Sequence, residues 1–295
     1  MNHKESFLQY LKTEKRYSPH TVRSYLNDLD QFFSFQSARQ NPTEPGQISS
    51  YDIRSWIVSM LDSGYSPVSI HRKISCLRVF YRYLRKEGIV KNDPLDKVVL
   101  PKVKKRLPAF VDEKSLDFLL DDFDFGDDFS GIRNRTVIEM LYQTGMRRSE
   151  LTGLKDSDVD LQGASVRVTG KRNKQRIIPL LPSFTITLGN YLKAKMDHLG
   201  DAAGEWFFVS DRGNKLYDKY VYNVVRKYLS MVTTIEKKSP HILRHTFATH
   251  MLNRGADLNS IKEFLGHANL SATQIYTHNT FEKLRKIYKP AHPRA

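Results

Sequence analysis

The 295-residue sequence predicts a mainly α protein in two domains, an N-terminal helical bundle and a C-terminal α+β unit with a small β-hairpin. Three observations lead there. Apolar residues recur at helical spacing through residues 1–90, and a proline-bearing basic stretch interrupts the pattern over 91–111. Within 112–295, "ASVRVTGKRNKQRIIPL" alternates with the period of strands among segments of helical period. Hydrophobic residues make up 40% of the chain, with 16 Phe and 15 Tyr, enough to give each domain a core. That composition excludes a disordered chain.

The elements follow in order. In "YSPHTVRSYLNDLDQFFSF", Ser18 suits an N-cap and Pro19 the first helical position. Val22, Tyr25, Leu26, Leu29, Phe32 and Phe33 then recur at helical spacing. The Tyr-Ser-Pro start returns at Ser66 and Pro67, with Ile70, Ile74, Leu77, Tyr81 and Leu84 on one face. A shorter periodic segment precedes each, one with Phe7, Leu8 and Leu11, the other with Ile53, Trp56, Ile57 and Met60. Residues 1–90 therefore predict four helices. The single cysteine, Cys76, excludes an intramolecular disulfide and a Cys-based zinc site, and its apolar setting predicts a small buried residue.

Over 91–111, Pro94, Pro101 and Pro108 break helical continuity, and Lys97, Lys102, Lys104, Lys105 and Arg106 charge the stretch. It reads as an inter-domain linker, its charge either plain solvation or a strap along a polyanion. From 112, "VDEKSLDFLLDDF" and "RNRTVIEMLYQTGMRRSELTGL" are helical in period. Val166 and Val168 open the hairpin, whose tip carries Lys171 and Arg172. Helices are expected at about 186–196 and 217–232, then around "NSIKEFL", which ends at Gly266, and at "LSATQIYTH".

Charge narrows the partner. Lys and Arg total 47 against 32 Asp and Glu, a formal +15, which favours nucleic acid because basic side chains displace its condensed counterions. The start "MNHKESFLQY" lacks the apolar core of a signal peptide, and no apolar run approaches the ~18 residues of a membrane span. A cytoplasmic, nucleoid-associated protein with no membrane partner is expected.

"SPHILRHTFATH" places His241, His245 and His250 within ten positions and raises two chemistries. His241 and His245 have the four-residue spacing of helical zinc sites, but no Glu follows the first His and Arg244 lies between them. Alternatively, His241 and Arg244, three apart, share a helix face toward an anion. Arg supplies a planar fork of donors for phosphate oxygens, and His exchanges protons near neutrality. Downstream, His267 and Tyr276 lie on two successive elements and can approach one pocket. A tyrosine hydroxyl is a weak nucleophile unless cationic neighbours stabilise its phenolate.

Taken together, "TGMRRSEL", "GKRNKQR", "HILRH", "LGHANL" and "QIYTH" resemble, in order, the tyrosine site-specific recombinases. The bundle and the final "AHPRA" resemble the Xer subgroup within that family, with a leaning to its C-type member. The resemblance implies an N-terminal four-helix SAM-like core-binding bundle that clamps DNA, and an α+β catalytic domain. Residue by residue, it implies that Arg147 and Arg244 hold the scissile phosphate and that Lys171 is the general acid, with Lys174 a rival in the same turn. It further implies that His241 takes the tyrosine proton, that His267 hydrogen-bonds the phosphate, and that Tyr276 is the nucleophile. Arg172 stands where many relatives carry glycine, and Ala272 where threonine is common. His245, His250 and His278 acquire no catalytic role and are expected to pack.

The implied substrate is a double-stranded DNA recombination site, with no small-molecule substrate and neither metal nor nucleotide cofactor. Implied partners are a homologous recombinase in a cyclic, hetero- or homomeric tetramer and a cell-division DNA translocase. The amphipathic tail after Tyr276, with Phe281, Leu284, Ile287 and Tyr288, is expected to dock on a neighbouring protomer. An integron, phage or transposon integrase, a type IB topoisomerase, a DNA-binding protein without the reaction, and a metal hydrolase stand as alternatives.

Overall fold

The structure is a computed structural model that describes residues 3–103, 109–170, 173–266, 287–288 and 290–294. The chain divides into two compact units, Met1–Arg106 and Leu107–Ala295. No helix among the described residues is long and apolar enough to cross a membrane.

The first unit holds α1 (His3–Thr13), α2 (Pro19–Ala38), α3 (Ser50–Asp62) and α4 (Pro67–Lys86). Ser18 and Ser66 cap α2 and α4 by accepting from the backbone N–H of Thr21 and Ser69, with Pro19 and Pro67 opening each helix. At α3, Ser49 and Asp52 form a reciprocal capping box. Phe7, Leu11, Leu29, Phe32, Ile53, Ile70, Ile74, Leu77 and Leu84 meet in the core, and Cys76 is buried with its thiol toward the Tyr25 carbonyl.

The connection read from 91 onward belongs in part to this unit. Val90, Leu95 and Val98 are buried in its core, and the His71 ring lies 2.8 Å from the Pro101 carbonyl. Helix α4 ends at Lys86, with Gly88 in the left-handed region and the Ile89 N–H on the Leu84 carbonyl, yet apolar residues beyond it still find core surface. Lys104, Lys105, Arg106 and Pro108 lie outside the described residues.

In the second unit Asp112 caps α5 (Glu113–Asp117), which runs on as a π-helical turn over Phe118–Asp122. Then come α6 (Phe129–Thr144), α7 (Arg148–Leu151), β1 (Val159–Asp160), β2 (Ser165–Thr169), β3 (Gln175–Pro179), α8 (Pro182–Leu199), α9 (Asp218–Val232), α10 (Pro240–Asn253) and α11 (Leu258–Leu265). The strands form an antiparallel sheet in the order β1-β2-β3, so the short β1 adds a third strand to the expected hairpin. Val166 and Val168 of β2 and Arg176 and Ile178 of β3 occupy the buried phase. Helix α6 is buried nearly all round and packs against α8, α9 and α10, as a central helix should.

One predicted helix is two. The period through "RNRTVIEMLYQTGMRRSELTGL" breaks at Gly145, which takes φ 57° in the left-handed region and ends α6 with its N–H on the Leu141 carbonyl. A Cβ there would lie 2.5 Å from Phe247 Cδ1, so the close approach also requires glycine. Arg147 thus sits at the extended N-cap of α7 rather than inside a helix.

Residues 287–288 and 290–294 seat on their own unit. Tyr288 is fully buried and donates its hydroxyl to the Gln143 carbonyl at the end of α6. His292 is buried beside the Tyr288 and Tyr142 rings, and Arg294 pairs with Asp121 and Asp117. Through Tyr288 these residues satisfy an otherwise orphaned helix carbonyl. Phe281 and Leu284 lie outside the described residues.

Candidate active site

The site is built where three chain breaks meet: the end of α6, the start of α7 and the end of α11. Gly266 caps α11 with φ 64°, and the helix end offers its last carbonyls, the negative pole of the helix dipole. Three consecutive carbonyls are each taken by a different guanidinium. Phe264 O accepts from Arg176 Nε at 2.8 Å, Leu265 O from Arg244 Nη2 at 2.6 Å, and Gly266 O from Arg147 Nη2 at 3.3 Å.

Arg244 comes from α10 and is 8% exposed. Its Nη1 also donates to the Gly145 carbonyl at 2.6 Å, so one side chain ties the ends of α6 and α11 together. Burial, followed by the nearby Arg147 charge, lowers its pKa to about 10, still far above neutrality. Arg147 keeps 35% of its side chain exposed and donates Nη1 to Glu150 Oε1 at 2.7 Å. Glu150 reaches back to the Arg147 backbone N–H at 2.8 Å, the N-terminal half of a capping box. Both guanidiniums carry more donors than these bonds use.

Glu150 is 5% exposed and also receives Arg176 in a bidentate pair, at 3.1 and 2.8 Å. Burial pushes its carboxyl up, but the Arg176 bonds and charge, joined by the Arg147 bonds, outweigh it and hold the carboxyl below the usual range. Arg147 and Arg176 bond this one carboxylate while Arg244 holds the same helix end, which leaves an excess of two positive charges at a largely buried spot. Excess positive charge with spare donors is a binding site for an anion of phosphate type.

His241 lies exposed in the first turn of α10, three residues before Arg244. Arg148 points elsewhere, pairing with Asp218 of α9 at 3.0 Å, because Arg147 and Arg148 straddle the helix start. His250 is buried, its Nδ1 2.9 Å from the Tyr142 hydroxyl, a packing role, and His245 is half-buried. Lys171, His267, Tyr276 and His278 lie outside the described residues, as does Arg172. The hairpin is described up to Gly170, whose N–H donates to the Lys174 carbonyl at 2.7 Å, and Lys174 is exposed. Among the described residues, no three His, Cys, Asp or Glu side chains converge as a metal site would need.

Sequence reasoning passed over Glu150 and Arg176. Both carried a signal. Glu150 stands three residues after Arg147, the capping-box spacing, and Arg176 is a charge in the inward phase of a strand, which demands a buried partner.

Comparison with known proteins agrees with this architecture. The model described as the phage integrase family matches residues 110–283, and the phage integrase N-terminal SAM-like domain matches 5–88. The chain is 40% identical to tyrosine recombinase XerC of Chlorobaculum tepidum, covering 98% of this chain and 94% of that protein. It is 38% identical to tyrosine recombinase XerC of Oceanobacillus iheyensis, covering 99% and 96%. By fold it is similar to the XerH site-specific recombinase bound to difH, with TM-score 0.68 and 23% identity over 96% of this chain and 82% of that one. Similarity of these kinds, spanning both units, places the chain in the phage integrase family, as a site-specific tyrosine recombinase of the XerC type.

Proposed function

We propose that this enzyme cleaves and rejoins double-stranded DNA at a recombination site through Tyr276. The Tyr276 oxygen bonds to the scissile phosphorus while the bond to the 5′-oxygen breaks, giving a 3′-phosphotyrosyl link and a free 5′-hydroxyl. Arg147 and Arg244 hold the non-bridging oxygens, whose charge grows in the transition state. Lys171, from the hairpin tip, gives its proton to the departing 5′-oxygen, and His241 takes the tyrosine proton. His267 hydrogen-bonds the phosphate. The covalent link retains the diester's free energy, so attack by a partner strand's 5′-hydroxyl completes exchange with neither metal nor nucleotide.

The observation that supports this reading is the excess positive charge at the end of α11, where Arg147 and Arg244 meet one residue before His267 in the chain. The biological setting we infer is resolution of chromosome dimers at cell division, in the cytoplasm on the nucleoid. There the chain acts in a cyclic tetramer with a homologous partner recombinase and a cell-division DNA translocase, and its tail exchanges between protomers.

A nicked suicide DNA substrate tests the chemistry. Covalent protein–DNA adduct should form in EDTA and vanish in Tyr276→Phe. Adduct that survives that substitution would sink the nucleophile assignment, and relaxation of supercoils without Holliday-junction formation would favour a topoisomerase-like activity.

A further inference from the structure

We propose that Arg176 is a positioning residue for DNA cleavage: through Glu150 it fixes the Arg147 guanidinium, and through Phe264 it fixes the turn that leads to His267. This rests on the reading that Arg147 contacts the scissile phosphate.

Arg176 lies on β3 opposite Val168, facing inward, and is 5% exposed. Its donors point into protein: Nε to Phe264 O, Nη1 to Glu150 Oε1 and Nη2 to Glu150 Oε2. It is therefore not itself placed to reach a DNA phosphate. The Glu150 carboxylate is shared evenly. Each of its oxygens takes one bond from Arg176 and one from Arg147, the latter from Nη1 at Oε1 and from the backbone N–H at Oε2. A carboxylate gripped in its own plane by a bidentate guanidinium has a fixed orientation, and it passes that orientation to Arg147. Without Arg176, the carboxylate keeps only the Arg147 bonds and can turn with that side chain.

The same side chain braces the turn after α11. A Cβ on Gly266 would lie 3.3 Å from Arg176 Nη1, so the guanidinium is stacked against that left-handed residue. Arg176 also stands on β3, five positions after Lys171 in the sequence. One buried group thereby joins the hairpin, the Arg147 cap and the α11 terminus. A buried Arg–Glu pair adds little net stability over apolar packing, which leaves orientation as what it contributes.

The test is single-turnover cleavage by Arg176→Lys and Arg176→Met on two suicide substrates, one with an ordinary scissile phosphodiester and one with a methylphosphonate there. The methyl group removes the non-bridging charge that Arg147 stabilises. We expect both variants to bind DNA within about twofold of the parent and to cleave the phosphodiester at least about tenfold more slowly. On the methylphosphonate the defect should shrink to about threefold or less, as for Arg147→Ala. Lys, which keeps the charge but loses the fork, should rescue only in part.

Cleavage within twofold of the parent by both variants would overturn the proposal. So would an equal defect on both substrates, or loss of the folded state in both variants, either of which assigns the pair to stability alone. Arg147→Ala serves as the control. Normal cleavage by that variant would refute the phosphate-site reading itself, whereas an impaired Arg147→Ala beside unimpaired Arg176 variants would refute this proposal alone.

Discussion

Replacing Gly145 with alanine perturbs the one backbone position that ends α6 and also supplies a carbonyl to Arg244. Its φ of 57° is a left-handed conformation that costs an L-residue about 1–2 kcal/mol. The added Cβ would sit 2.5 Å from Phe247 Cδ1 and 2.9 Å from Leu265 Cδ2, both on fully or nearly fully buried side chains. Relieving such an overlap in a packed core costs about 1–3 kcal/mol. The two effects together give roughly 3 kcal/mol, which for a domain of this size lowers the melting temperature by about 6–12 °C. Leu265 also carries the other carbonyl held by Arg244, so the shift that makes room for the methyl group moves both of that arginine's acceptors.

Urea unfolding and suicide-substrate cleavage should therefore both fall for Gly145→Ala. Gly189→Ala is the matched control. It lies inside α8 without a positive φ, its Cβ would meet nothing within 4 Å, and it should gain about 0.5–1 kcal/mol with cleavage unchanged. A Gly145→Ala protein that loses less than about 1 kcal/mol and cleaves at the parental rate would refute the reasoning.

Two further outcomes follow from the same geometry. His292, buried among the Tyr142, Phe247 and Tyr288 rings, has its pKa lowered from 6.5 to about 3 by desolvation, so docking of residues 290–294 is at full strength above pH 6.5. Protonation in the undocked state weakens docking as pH falls from there toward 3, by about 2 kcal/mol at pH 5, and the protection factor of the residue-292 amide, which donates to the Tyr288 carbonyl, should fall accordingly. Equal protection at pH 5 and 7.5, or the same acid sensitivity in His292→Phe, would contradict this. In the first unit, Ser66→Ala removes the α4 cap and should cost about 1 kcal/mol in that unit's unfolding transition, leaving the catalytic unit's transition unmoved.

Much of the architecture was written locally. Ser18-Pro19 and Ser66-Pro67 open helices because capping and proline act on immediate neighbours, and the faces they start, with Leu29, Phe32, Ile74 and Leu77, are the ones buried. Arg244 read as an anion ligand from residue type and its spacing to His241, whereas Arg147 was picked out only by the resemblance of "TGMRRSEL" to the family. Where helical period alone was read, it failed at Gly145, since apolar residues on both sides keep the same spacing through a break. Leu95 and Val98 look like connector residues until a core surface is present to receive them.

The sequence by itself determined a mainly α protein with a hairpin and a histidine–arginine pair suited to phosphate, because propensity, period and charge are properties of neighbours in the chain. Only the tertiary structure decided that Arg147, Arg244 and Arg176 share one helix end, and that Arg147 and Arg176 share one carboxylate. Those residues lie at the N-cap of α7, on α10 and on β3, and these bonds join residues 21 to 119 positions apart along the chain. Chain folding brings them together, and the dehydrated space it creates gives Glu150 the strength to orient two guanidiniums at once.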